Sequence, residues 1–273
     1  MLYFNIFVLL TLLFTGQAKS NCPVLCQCTI IDDLNLVSCN RKGLQEVPIG
    51  LPNNTISLDL GYNAISSLEN LQWQSLHKLE VLVLKENKLF NLNLTTIEDL
   101  TELMYLDISL NSLYTFDISN FKYMKKLETV IAKAGTIQTV ILEDGPPSIM
   151  EIVLDYNYIH DIKIGPNFAK SMPKLHAISI QNNYLNCCHS YDELKEMGNI
   201  VLLDYCFEPL KVRWMNFTVA EPMLPECQKV KVDNMSTSFN STSINDATVV
   251  GIARIISIVV AMTAERLATL KST

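Results

Sequence analysis

One pattern recurs along the middle of the chain. Leu58-x-Leu60-x-x-Asn63-x-Ile65 returns as Leu82-x-Leu84-x-x-Asn87-x-Leu89 and as Leu106-x-Ile108-x-x-Asn111-x-Leu113. A worn copy follows, Val130-x-Ala132-x-x-Gly135-x-Ile137, then Ile152-x-Leu154-x-x-Asn157-x-Ile159 and Ile178-x-Ile180-x-x-Asn183-x-Leu185. The offsets are 24, 24, 24, 22 and 26 residues. Apolar residues two apart share one face of an extended strand. A strand this short cannot bury them alone, but stacking each coil on the next buries them in a continuous column. The asparagine falls where the chain turns after the strand, and its amide can satisfy backbone groups in that turn. Gly135 has no amide, which predicts a gap in the asparagine ladder.

A period in the twenties built on this pattern is the signature of a leucine-rich-repeat solenoid. The expected fold class is α/β: a horseshoe of six repeats over 55–185, with a parallel sheet on its concave face. Behind the strands, Trp73 and Leu76, Ile97 and Leu100, Phe121 and Met124, and Phe168 and Met172 supply an apolar pair per coil. The fourth coil lacks such a pair and carries Gly145-Pro146-Pro147, which predicts a shortened, irregular back. The convex side is expected to be mostly turn and short helix, and a cap strand is expected near Val37–Cys39.

The flanks read differently. Residues Phe4–Phe14 are almost wholly apolar and precede Gly16-Gln17-Ala18, the pattern of a secretory signal peptide over 1–18; cleavage after Ala18 or Ser20 fits equally well. Five glycosylation sequons begin at Asn53, Asn93, Asn216, Asn234 and Asn240. A Ser/Thr/Asn-rich stalk over 228–246 leads into an apolar segment, 247–264, and a short tail, 265–273. Eight Val and Ile residues there contribute roughly −0.3 to −0.6 kcal/mol each, against roughly +2.5 to +3.5 for Arg254, so the insertion sum lies near zero. A single-pass anchor with its N-terminus outside, full secretion and a lipid anchor all remain compatible. The net charge of −7 argues against a nucleic-acid partner, whose binding surface is normally basic.

Eight cysteines form two groups of four, with none between residues 40 and 186. The first is Cys22-Pro23-x-x-Cys26-x-Cys28 and then Cys39; the second is Cys187, Cys188, Cys206 and Cys227. A solenoid exposes its apolar column at both ends, and short covers with little core need disulfides. Spacing alone leaves 105 connectivities open. With the repeats, these groups resemble the N-terminal cap (22–54) and C-terminal cap (186–227) of extracellular leucine-rich-repeat proteins. Toll-type ectodomains, neuronal adhesion proteins and arthropod leucine-rich immune proteins are similar. The family usually has C-x-C where this chain has adjacent Cys187-Cys188. The resemblance implies the pairs Cys22–Cys28, Cys26–Cys39, Cys187–Cys206 and Cys188–Cys227. It also implies innate immune recognition or cell-surface adhesion, with a matrix component or a secreted receptor decoy as the alternatives.

No catalytic constellation stands out. His77, His160, His176 and His189 lie on different coils or in the cap, and no Ser-His-Asp spacing, phosphate-cradling glycine loop or HExxH is present. No enzyme activity, cofactor or metal is expected. The fold offers a surface instead. Residues that alternate with the buried pair face the inner curve, among them Ser109 and Ser179. Of these, Val81, Val83, Tyr105, Asp107, Ile131 and Val153 are central, with Tyr62, Leu110 and Tyr156 at the edge. An apolar and aromatic patch with polar borders suits a protein ligand or co-receptor.

Overall fold

Alternation of buried and half-exposed residues builds the main sheet, and its registers follow the sequence repeat. In the computed structural model the described residues are 22–215, apart from 70, 91–96, 98, 198–200, 203–204, 208, 210–212 and 214. All belong to the first of two units, Met1–Cys227. The strands are β1 (Gln27–Ile31), β2 (Leu34–Ser38), β3 (Thr55–Asp59), β4 (Val81–Val83), β5 (Tyr105–Asp107), β6 (Thr115–Asp117), β7 (Thr129–Ile131), β8 (Thr139–Leu142), β9 (Glu151–Val153), β10 (Asp161–Ile164), β11 (Ala177–Ser179) and β12 (Val201–Leu202). The long sheet runs β1-β2-β3-β4-β5-β7-β9-β11-β12. It is parallel from β2 onward, and the β1–β2 hairpin is antiparallel.

Each central strand residue sits in the column that the repeat demands. Leu58, Leu82, Leu106, Val130, Ile152 and Ile178 pair in sequence across the sheet and are buried. Leu60, Leu84, Ile108, Ala132, Leu154 and Ile180 form the next column. Another lies three residues ahead of the first: Leu79, Leu103, Leu127 and Ile149 are fully buried, and Leu175 packs against them half-buried.

The asparagine ladder is present and fully bonded. Asn111 Oδ1 accepts from Leu89 N at 3.0 Å, and its Nδ2 donates to Leu84 O, Ile108 O and Ser109 O at 2.9–3.1 Å. Asn87, Asn157 and Asn183 bridge neighbouring coils in the same way. Asn63 does so toward the cap, accepting from Leu44 N and donating to Cys39 O. The rung at Gly135 is missing, as its lack of an amide requires. Gly135 N donates to Asn157 Oδ1, and a Cβ there would stand 3.0 Å from Asn111 O.

The back of the solenoid departs from expectation. The four apolar pairs are buried as predicted. In addition, β6, β8 and β10 form a second parallel sheet, with Phe116, Val140 and Ile162 in register and buried. In the fourth coil Val140 and Leu142 of β8 supply the buried pair, while Gly145-Pro146-Pro147 lies in irregular backbone as expected, with Gly145 packed so closely that a Cβ would lie 2.4 Å from Met172 Sδ. Among the described residues the helices are short: α1 (Phe168–Ser171), α2 (Tyr191–Met197) and 3₁₀ turns at Leu71–Ser75 and Ile118–Phe121.

Both ends are closed by sulfur. Cys22–Cys28, Cys26–Cys39 and Cys187–Cys206 are bonded as the resemblance implied. Cys188 is also disulfide-bonded; its expected partner Cys227 lies outside the described residues. So do the signal segment 1–18, the sequons at Asn93, Asn216, Asn234 and Asn240, the stalk, the apolar segment 247–264 and the tail. Asn53 is exposed in the turn before β3. Among the described residues no helix is long and apolar enough to cross a membrane.

Candidate functional site

Residues flanking each buried strand centre form the open face of the long sheet. Register sets them in two rows. One reads Ser57, Val81, Tyr105, Thr129, Glu151, Ala177; the other reads Asp59, Val83, Asp107, Ile131, Val153, Ser179. Val81, Val83 and Tyr105 are thus neighbours, and Ile131 adjoins Val153. All five are half-exposed. Asp107 stands between Val83 and Ile131, so the apolar patch is divided by a carboxylate. That carboxylate has a local task as well: Asp107 Oδ1 accepts from Ser109 N at 2.9 Å. Two residues expected to face outward are buried instead. Ser109 is 1 % exposed, and Ser179 donates its hydroxyl to Asp155 Oδ1 at 2.5 Å.

Tyr105 is held neutral. Partial burial raises its phenol above the ordinary value of 10.0, and the carboxylates of Asp107 and Glu151 push it further the same way. It therefore keeps a hydroxyl donor on an apolar ring, the combination that makes tyrosine effective at interfaces.

The three edge residues are not gathered. Tyr62, Leu110 and Tyr156 occupy the position before the turn asparagine, where φ is 56°, 54° and 57°. Glu86 separates Tyr62 from Leu110, and Ala134 separates Leu110 from Tyr156; both share the left-handed backbone, at 53° and 55°. Tyr62 is half-buried beneath the Arg41 guanidinium, 4.0 Å from the ring centroid, so its face is already covered. Tyr156 is 61 % exposed.

A second aromatic cluster escaped the strand-based reading. Tyr158 and Tyr184, one residue past the asparagine in successive coils, stack with centroids 5.6 Å apart and planes 15° apart. Phe207 meets Tyr184 edge-on at 5.0 Å, and Arg213 caps Phe207 at 4.4 Å. Tyr158 and Tyr184, with Tyr156 and Tyr205, line a notch of about 400 Å³ together with Ala134 and Gly135. The signal was legible as Tyr156-Asn157-Tyr158 followed by Asn183-Tyr184. It lies at turn positions, which strand alternation does not weigh. Among the described residues no group of His, Cys, Asp and Glu is placed to hold a metal ion.

No family model matches the chain. It is 34 % identical over 120 residues to human (Homo sapiens) leucine-rich repeat-containing protein 3B, covering 44 % of this chain and 45 % of that protein. It is 40 % identical over 78 residues to leucine-rich repeat-containing protein 3 of Bos taurus, covering 29 % and 30 %. With Toll-like receptor 10 of Bos taurus the identity is 44 % over 74 residues, covering 27 % of this chain and 9 % of the receptor. The chain thus spans less than half the length of each of these relatives. A solved complex of TLR13 with ssRNA13 is similar at a TM-score of 0.44 and 19 % identity, over 67 % of this chain and 23 % of that one. These sequence relatives are leucine-rich-repeat proteins, and the fold is a leucine-rich-repeat solenoid with a disulfide cap at its N-terminal end and cap cysteines bonded at its C-terminal end.

Proposed function

We propose that this chain is an extracellular or membrane-tethered protein-binding molecule, serving innate immune recognition or cell-surface adhesion, whose long sheet docks a protein partner or co-receptor on its open face. Disulfides at both ends fit an oxidising compartment. The relatives include a Toll-like receptor. The observation that carries the docking face is the contiguity of Val81, Val83 and Tyr105 in register across β4 and β5, with Ile131 and Val153 beyond Asp107. Apolar side chains half-covered by neighbours and bordered by Asp59, Lys85, Lys133 and Asp155 resemble the core and rim of an interface. Tyr105 is the anchor: a large ring with a retained hydroxyl at the centre of the patch. Asp107 beside it would select a partner that offers a cation or hydrogen-bond donor there.

The test uses the chain recovered from the secretory route, screened against displayed ectodomains. Replacing Val83, Tyr105 and Ile131 with glutamate is expected to abolish capture of the partner while secretion continues. Unchanged capture rejects the sheet face as the docking site.

A further inference from the structure

We infer that the tyrosine-bordered notch beside Gly135 is a second binding site, and that it takes a polyproline-II segment of a protein partner. The site shares only Tyr156 with the proposed sheet-face interface, and neither reading depends on the other. Tyr158 has one ring face covered by Tyr184. It lines the notch together with Ala134 and Gly135 of the fourth coil, where the repeat has worn to Ala134-Gly135-Thr136. Where the first three repeats carry Tyr62-Asn63, Glu86-Asn87 and Leu110-Asn111, the fourth presents Ala134-Gly135, so this side of the notch has no side chain beyond a Cβ. The worn repeat and the tyrosines thus make one feature, a flat aromatic wall above a backbone floor.

The spacing suits this ligand. Along the edge of the coils the side chains run Ala134, Tyr156, Asn182, so one tall ring stands between two lower residues, and all three line the notch. Adjacent coils stack at the strand spacing of about 4.8 Å, so the two low points are about 9.6 Å apart. A polyproline-II helix rises about 3.1 Å per residue with three residues per turn, so residues three apart on one face lie about 9.3 Å apart. Laid along the solenoid axis, it would set one ring over Ala134–Gly135 and the ring three residues on over Asn182, straddling Tyr156.

The chemistry agrees. Among the described residues no formally charged side chain lines the notch, which suits a neutral ligand. Polyproline segments present ring faces and unpaired carbonyl acceptors, and aromatic-lined grooves are how such segments are read. Tyrosine hydroxyls supply the donors. A glycan would need acceptors for its many hydroxyls. Among the described residues the lining contains no carboxylate, and Asn157 Oδ1 is engaged by Gly135 N and Ile137 N while its Nδ2 donates to Ala132 O and Leu154 O, which leaves the Asn182 amide and the tyrosine hydroxyls as the side-chain acceptors.

The probe is fluorescein-labelled decaproline, titrated by anisotropy against the full chain purified from the secretory route, with a Gly/Ser decapeptide as control. Saturable binding of decaproline alone is expected. Tyr158→Ala should weaken it at least tenfold. Ala134→Leu should do the same while keeping every tyrosine; Leu110 already occupies the equivalent left-handed position at φ 54°, so the backbone accepts leucine there. Failure to saturate at millimolar decaproline, equal binding of the Gly/Ser peptide, or affinity unchanged in both variants overturns the site. Displacement of decaproline by chitohexaose at equal or lower concentration also overturns it, by assigning the notch to a glycan.

Discussion

At the scale of single residues, the asparagines and Tyr105 carry the sharpest expectations. Asn111 is 6 % exposed and makes four hydrogen bonds, two within its own coil and two to the coil before it. Asn111→Ala strips these from buried backbone groups that water cannot reach, and should cost about 2–3 kcal/mol in urea unfolding. For Tyr105 the sign follows from linkage. Its folded pKa lies above 10.0, so its contribution to stability is complete below pH 10 and is lost as pH rises through the folded value. Spectrophotometric titration should show the phenolate step that disappears in Tyr105→Phe lying above the ordinary tyrosine range. Asp107→Asn should bring that step down part of the way, because burial remains. The asparagine ladder was legible because the residue type and its place in the period coincide. What Tyr62 does was not legible, because the Arg41 side chain that covers it comes from the preceding coil.

At the scale of elements, the caps and the second sheet divide what was readable from what was not. The cysteine runs announced the caps, and all three bridges between described residues follow the family pattern. Bridge Cys187–Cys206 closes a separation of 19 residues. Converting both to serine should lower stability by about 3 kcal/mol in guanidinium unfolding. The sheet of β6, β8 and β10 stands where the repeat pattern predicts turn and short helix. Its strands are three or four residues long, and each gains backbone partners only from the coil before or after it. Local sequence does not report such partners, although Thr139–Leu142 alternates half-exposed and buried residues as a strand should. Leu142→Ala removes a fully buried side chain from this sheet and should cost about 2–5 kcal/mol. Thermal melts followed by circular dichroism would measure it.

At the scale of the whole molecule, each coil touches only its neighbours, so stability is a sum of coil and interface contributions. Mild reduction should therefore loosen the structure from its ends. Hydrogen exchange read by mass spectrometry should accelerate first in β1–β2 and β11–β12, and only later in β5–β7. Uniform acceleration would contradict that order. The solenoid itself was legible from the period, since a repeat in the twenties leaves few other ways to bury its leucines. The division of the sheet face by Asp107 emerges only when register sets strands side by side. One consequence reaches beyond a single copy. A stack of like coils has no intrinsic length, and an open parallel edge invites another chain to join the stack. Here the first strand runs backward, Gln27 opposite Ser38 and Ile31 opposite Leu34. An incoming coil would find a template of the wrong polarity, so this hairpin is a built-in terminator of head-to-tail polymer growth.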